Sequence, residues 1–171
     1  DGRVWLVDPV DVPEALDRAR ALGEPAGVIQ LLDRHDRDGA ALATRLNVPH
    51  LKLPTAVPGA PFEVVGVLGL PLWKEKALWW PAERALVVAE IVGTAPFFTA
   101  GTGEAGMHAL VRALPPGALR GYRPEHLLVG HGPPVHGPQA ADALEHAYAR
   151  SRRDVPRLLA QLPRIAKAAK G

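Results

Sequence analysis

The nine residues "LLDRHDRDG" (Leu31–Gly39) follow an apolar run and carry three aspartates, two arginines and a histidine in one short loop. A strand that ends in alternating carboxylates and imidazole, with a helix beyond, can bring several donors onto one ion while the strand end stays rigid. The candidate donors are Asp33, His35, Asp36 and Asp38. Imidazole nitrogen mixed with hard carboxylate oxygen suits zinc, iron or manganese. The same letters also make an ordinary solvated turn, with Arg34 and Arg37 paired to the aspartates and Asp38 capping the next helix. The loop alone leaves both readings open.

The flanking sequence has a clear rhythm. Val4–Val7 is a short strand ended by Asp8-Pro9, and Pro13 opens a helix that runs to Leu22 before Gly23. Val28–Leu32 is a second buried strand. A helix over Gly39–Leu46, closed by Asn47 and Pro49, leads to a third strand over His50–Pro54. Strand–helix alternation of this kind specifies α/β layering. The middle changes character, because "FEVVGVLGL", "KALWWP" and "RALVVAEIVG" read as a meander of three consecutive strands. Met107, Leu110, Val111 and Leu114 then predict a helix in "GEAGMHALVRAL". "HLLVGHGPPVHG" is a last strand running into a Gly/Pro loop. Gln139–Leu162 is a long helical pattern that Pro156 and Pro163 should kink or split.

Two further positions carry chemistry. His131 follows a buried strand between two glycines, which let the backbone turn sharply and bring the ring into a cleft. Glu90 ends a strongly apolar strand, so its carboxylate must be paired, metal-bound or solvent-reaching. His126 and His136 are read as surface residues. Trp73, Trp79 and Trp80 are assigned to sheet packing, with the cleft mouth or a dimer interface as the other uses.

The order of these segments resembles the metallo-β-lactamase superfamily: an aspartate-ended strand, an HxHxDH loop opening a helix, a late strand ending in Gly-Asp, and a final strand ending in Gly-His. The resemblance implies a single domain over residues 1–171, an αββα sandwich with a C-terminal helical segment at about 139–170. It also implies strands ahead of the aspartate-ended one, so residues upstream of Asp1 are expected. Carried over by position, the loop histidines of the family fall on Asp33 and His35, its loop aspartate on Arg37 and its last loop histidine on Asp38. The bridging aspartate falls on Glu90 and the final histidine on His131. The family's middle histidine has no counterpart in "GLPLWKEKALWWP", and no histidine occurs from Leu51 to Met107.

The loop thus reads DxHxRD, and a guanidinium has no lone pair to donate to a dication. Two readings follow. In the favoured one, Arg37 takes the second metal's place and neutralises Asp38 and Glu90. The chain is then a non-catalytic binding or structural homologue that needs no metal. In the other, Asp33, His35 and Glu90 hold one zinc, iron or manganese ion, with Arg37 and Lys74 near an anionic substrate. The chain is then a hydrolase of a small ester, thioester, lactone or phosphoester, with Asp38 and Arg37 as the catalytic candidates. Asp33, His35, Asp38, Glu90 and His131 are the remnant ligand positions in either case.

Composition sets the outer bounds. A hydrophobic content of 47% supports a real core. Without cysteine there is no disulfide, thiolate ligand or thiol nucleophile. No apolar run approaches the roughly 20 residues of a membrane span and no leader pattern opens the chain, so no membrane partner is expected and the expected location is the cytoplasm. A formal charge of +2, with no basic patch interleaved with aromatics, argues against nucleic acid. Expected partners are an anionic or other small molecule in the cleft and a second copy of the chain. Leu158, Leu159, Leu162 and Ile165 form the apolar face of a tail helix that would pack on the body or on that copy.

Overall fold

A computed structural model describes residues 2–36 and 38–160. Two β-sheets face each other with helices outside. The first sheet is parallel, in the order β1 (Arg3–Val7), β2 (Glu24–Gln30), β3 (His50–Lys52). Its crossovers are α1 (Pro13–Leu22) and α2 (Gly39–Leu46), as parallel neighbours require. Pro13 sits in the first turn of α1, and Asn47 closes α2 in the left-handed conformation. Asp38 holds the N-cap position of α2, but its side chain makes no capping hydrogen bond.

The second sheet contains the meander. β4 (Glu63–Leu70), β5 (Trp73–Trp80) and β6 (Ala85–Val88) pair antiparallel in succession, and β9 (His126–Val129) runs parallel to β6 with β10 (Val135–His136) at the edge. A small ribbon of β7 (Val92–Gly93) and β8 (Gly106–Met107) lies beside them, next to the short helix α3 (Pro96–Thr99). The helix α4 (Gln139–Arg150) packs against β8, β9 and β10.

Side-chain alternation on β2 shows the layering. Val28 joins Leu16, Leu42 and Ala43 beneath the outer helices, whereas its neighbour Ile29 joins Leu78, Leu86 and Leu127 in the larger core. Burying each such Leu or Ile contributes about 1.5–3 kcal/mol. The result is the αββα sandwich expected from the sequence.

Two expectations are corrected. Residues 103–114 form no α-helix: Gly106–Met107 pairs with β7, and only Ala109–Val111 make a single 3₁₀ turn. The reason is close packing, since a Cβ on Gly106 would lie 1.8 Å from the Phe98 carbonyl oxygen. The chain must therefore pass Phe98 as extended glycine backbone. β2 starts at Glu24 rather than Val28, and Leu31–Leu32 lie beyond its end. The tail pattern is split, as expected, though the break falls at residues 151–154, just ahead of Pro156, and residues 155–160 are helical again. Leu158 is buried and Leu159 is exposed. Leu162, Pro163 and Ile165 fall outside the described residues, as does Arg37.

Candidate functional site

The loop after β2 is where the two sheets meet. Leu31 to Asp33 leave the first sheet and hydrogen-bond to β5 of the second: the Asp33 amide donates to the Lys74 carbonyl and the Lys76 amide to that of Leu31. The Asp33 carboxylate continues the pairing, its Oδ2 accepting from the Lys74 amide at 2.9 Å. The other oxygen, Oδ1, is buried without a donor among the described residues.

Asp8 at the end of β1 closes the other side. It adopts a left-handed backbone (φ 43°), which Asp tolerates better than most residues. Its Oδ1 accepts from the Leu31 amide at 3.0 Å. Its Oδ2 lies 3.0 Å from His35 Nδ1, out of line for a hydrogen bond. Asp8 and His35 are therefore neighbours, with the pair almost enclosed.

Glu90 is the centre of the opposite wall. Its Oε2 accepts from Arg34 Nη2 at 2.5 Å. Its Oε1 stands 3.9 Å from Nε2 of both His108 and His131. Arg34 is held at three points: Glu90, the Leu72 carbonyl oxygen at 3.1 Å, and the face of Trp73 at 4.7 Å. Such a fork-shaped, stacked cation is suited to a partly buried carboxylate. Among the described residues the arginine on Glu90 is Arg34; Arg37, to which the sequence reading gave this role, lies outside them.

The histidines are fixed by their own packing. His131 stacks on Phe98 (ring centroids 5.4 Å, 24° between planes), and its ring centroid is 6.4 Å from that of His35. Its flanking glycines are needed, because a Cβ on Gly130 would meet the Ala89 carbonyl at 2.2 Å and one on Gly132 the Thr94 hydroxyl at 2.2 Å. His108 packs edge-on against Trp73, Phe97 and Phe98. Burial pushes its pKa below the usual imidazole range, against the pull of the Glu90 charge. The Leu110 amide donates to His108 Nδ1 at 3.3 Å, so the neutral ring carries its proton on Nε2.

Beneath these groups lies Glu75, fully buried on β5. Its Oε1 accepts from the amides of Glu90 and Ile91, both at 2.9 Å, and its Oε2 from the Trp73 indole at 3.0 Å. Burial raises its pKa, and the three hydrogen bonds oppose that rise only in part. Glu75 sets the backbone from which the Glu90 side chain projects.

The structure therefore brings His35, Glu90 and His131 near one another and adds Asp8, Arg34, Glu75 and His108, while the Asp33 carboxylate faces the Lys74 backbone. Asp38 is engaged elsewhere: its Oδ2 accepts from the Asp11 amide at 2.8 Å, beside the bidentate Asp11–Arg45 pair. Lys74 contributes backbone to the loop and carries an exposed side chain. Leu70 and Leu72, both exposed, form the apolar rim on the β4–β5 turn. A cavity of about 730 Å³ is remote from this chemistry, between the β1 edge and the aromatic rings of Phe62 and Trp80. It is lined mainly by apolar side chains and backbone, so the convergent polar groups rather than cavity size define the site.

Fold and loop positions together define the class: this is the metallo-β-lactamase fold. The solved structures agree. The chain superposes on the DIM-1 metallo-β-lactamase exposed to ceftazidime with TM-score 0.55 and 18% identity, covering 90% of this chain and 81% of that one. It superposes on TMB-1 with TM-score 0.58 and 14% identity, over 89% and 81% of the two chains. A further DIM-1 structure gives TM-score 0.53 at 16% identity, over 87% of this chain and 81% of that one. No family model matches the chain, and no curated protein matches its sequence.

The donor set can be tested against the metal centre that this fold implies. Among the described residues, no three His, Asp or Glu side chains are grouped as ligands of one ion. The chemistry explains why. Arg34 sits on Glu90 and repels a dication, His108 presents N–H rather than a lone pair, and Asp33 Oδ2 already accepts from backbone. These residues do not fit a dinuclear centre.

Proposed function

We propose that this chain is a metallo-β-lactamase-fold protein whose metal cleft has become an arginine-centred polar cluster, and that it acts as a binding or structural protein without a dinuclear metal. The observation that carries this reading is the 2.5 Å contact of Arg34 Nη2 with Glu90 Oε2, reinforced by Trp73 and the Leu72 carbonyl. An organic cation there supplies the positive charge that the carboxylate requires, and fixes it by covalent attachment to the loop. The ligand class that fits is a small anion with an apolar portion. His131 and the exposed Lys74 offer donors, and Leu70 and Leu72 offer apolar contact.

The hydrolase reading, with one zinc, iron or manganese on Asp33, His35 and Glu90, finds support in one observation, the buried Asp33 Oδ1 that lacks a donor. It is the weaker reading because its third donor is the carboxylate that Arg34 holds.

Elemental analysis of protein purified without chelator tests the proposal, run on the wild type and on Asp33→Ala, His35→Ala and Glu90→Gln. The expected result is no stoichiometric metal that depends on any of these three residues. A stoichiometric ion present in the wild type and lost in these variants overturns the proposal and establishes the hydrolase site. Turnover of a small ester, thioester, lactone or phosphoester that disappears in the same variants would do so as well.

A further inference from the structure

Away from the cleft, β9 and β10 place two histidines directly opposite each other. His126 and His136 are cross-strand partners in the antiparallel register, and their Nδ1 atoms are 2.9 Å apart, with ring centroids at 5.0 Å and planes at 64°. Their strand neighbours Leu127 and Val135 are buried, so the two rings lie on the opposite face. β10 is an edge strand and His136 is exposed, which leaves the pair open to solvent. The nearby carboxylate of Glu125 is engaged with Arg84 Nε at 3.2 Å.

We propose that His126 and His136 form a two-nitrogen chelate for a transition-metal ion that prefers tetragonal geometry, copper(II) or nickel(II). The 2.9 Å contact is a hydrogen bond between the two Nδ1 atoms, one ring donating and the other accepting, and a bound ion takes the place of that shared proton. Paired imidazole nitrogens favour copper(II), at the top of the divalent affinity order for nitrogen donors, with nickel(II) next below it on the rising limb. Strand pairing holds the two rings together before any metal arrives, so little ordering is required on binding. Each ring must offer an unprotonated Nδ1, so binding weakens in acid. Magnesium and calcium, which need clustered oxygen donors, are excluded by the same chemistry. This site is independent of the cleft.

Calorimetric titration of the full chain with nickel(II) and copper(II) salts tests the proposal, with electron paramagnetic resonance of the copper(II) form as the second readout. The expected result is one ion per chain, bound more tightly than zinc(II), with nitrogen hyperfine structure from two imidazoles. Affinity should fall by about tenfold or more in His136→Asn and likewise in His126→Asn, while His131→Asn binds as the wild type. His136 is exposed on an edge strand, so its variant keeps the fold even if His126→Asn does not. Absence of binding, or wild-type affinity in the His136 variant, overturns the chelate. Loss of binding only in His131→Asn or His35→Asn also overturns it, and moves the ion to the cleft, where it would count against the proposed function as well.

Discussion

Replacing Arg34 by alanine removes three contacts at once: the ion pair with Glu90, the hydrogen bond to the Leu72 carbonyl, and the stacking on Trp73. The hydrogen bond is worth about 0.5–1.5 kcal/mol. The cation–π contact adds about 0.5–1 kcal/mol at a partly exposed site. The ion pair is asymmetric, with the Arg34 side chain 42% exposed and Glu90 only 19%. Solvent screens the arginine, so the pair itself merits no more than about 1 kcal/mol. These contacts share one side chain and do not add strictly, so the expected loss is about 2 kcal/mol. For a chain of this size that lowers Tm by about 4–8 °C.

The assay is urea unfolding of the wild type, Arg34→Ala, Glu90→Gln and the double variant. A coupling energy of about 1 kcal/mol between the two sites is expected, with Arg34→Lys intermediate, because an ammonium keeps the charge but loses the fork and the stack. Wild-type stability in Arg34→Ala, or zero coupling to Glu90→Gln, would refute the claim that this arginine holds the site together.

Other predictions concern the surrounding network. Burial raises the Glu75 pKa, so its contribution is complete below the carboxyl's unfolded range near pH 4.3 and diminishes as pH rises toward the folded value. Glu75→Gln turns an amide N–H toward the Trp73 indole and should cost about 1–3 kcal/mol, a deficit that shrinks as pH rises above the unfolded carboxyl range in denaturant titrations. A deficit that grows as pH rises would contradict the assigned shift. Asp154 behaves in the opposite sense. Burial alone would raise its pKa, but hydrogen bonds from Arg150 and Thr102 and the charges of Arg150 and Arg112 outweigh that and hold it low. Its stabilisation is present above the unfolded value near pH 3.9 and lost as pH falls through the folded one, so Asp154→Asn should flatten the acid limb of a stability–pH profile. Finally, Gly130→Ala forces a methyl against the Ala89 carbonyl and should cost about 3 kcal/mol. His131 should shift with the loop, seen as a changed imidazole resonance; an unaltered spectrum would refute the packing argument.

Local patterns in the sequence were enough for the first half of the fold. The limits of α1 and α2 follow from Pro13, Gly23 and Asn47, whose backbone preferences act within one turn. His131 was legible for a similar reason, since Gly130 and Gly132 announce a tight loop. The cleft was less legible because its decisive contacts are long-range. Arg34 and Glu90 are 56 residues apart, and nothing in the letters of the loop favours Arg34 over Arg37 as the partner. His108 escaped notice because it sat inside an apparent helix, whereas the close approach of Gly106 to Phe98 extends the chain there and turns the ring into the cleft. Glu75 had a signal that was available: on β5 it shares the inward-facing alternation of Trp73 and Ala77, so a buried carboxylate was implied once the strand was extended back to Trp73.

Arg34 also changes what the cleft depends on. A metal centre is assembled from outside: it exchanges, it is stripped by chelators, and its ligands lose it as they take up protons. A guanidinium anchored to the backbone does none of these things and stays charged across the physiological pH range. With Arg34 clamped between Glu90, Trp73 and the Leu72 carbonyl, the junction between the two sheets keeps its positive charge in a metal-starved medium as in a metal-rich one. Under the proposed function, the fold shared with the DIM-1 and TMB-1 structures is thereby separated from metal supply.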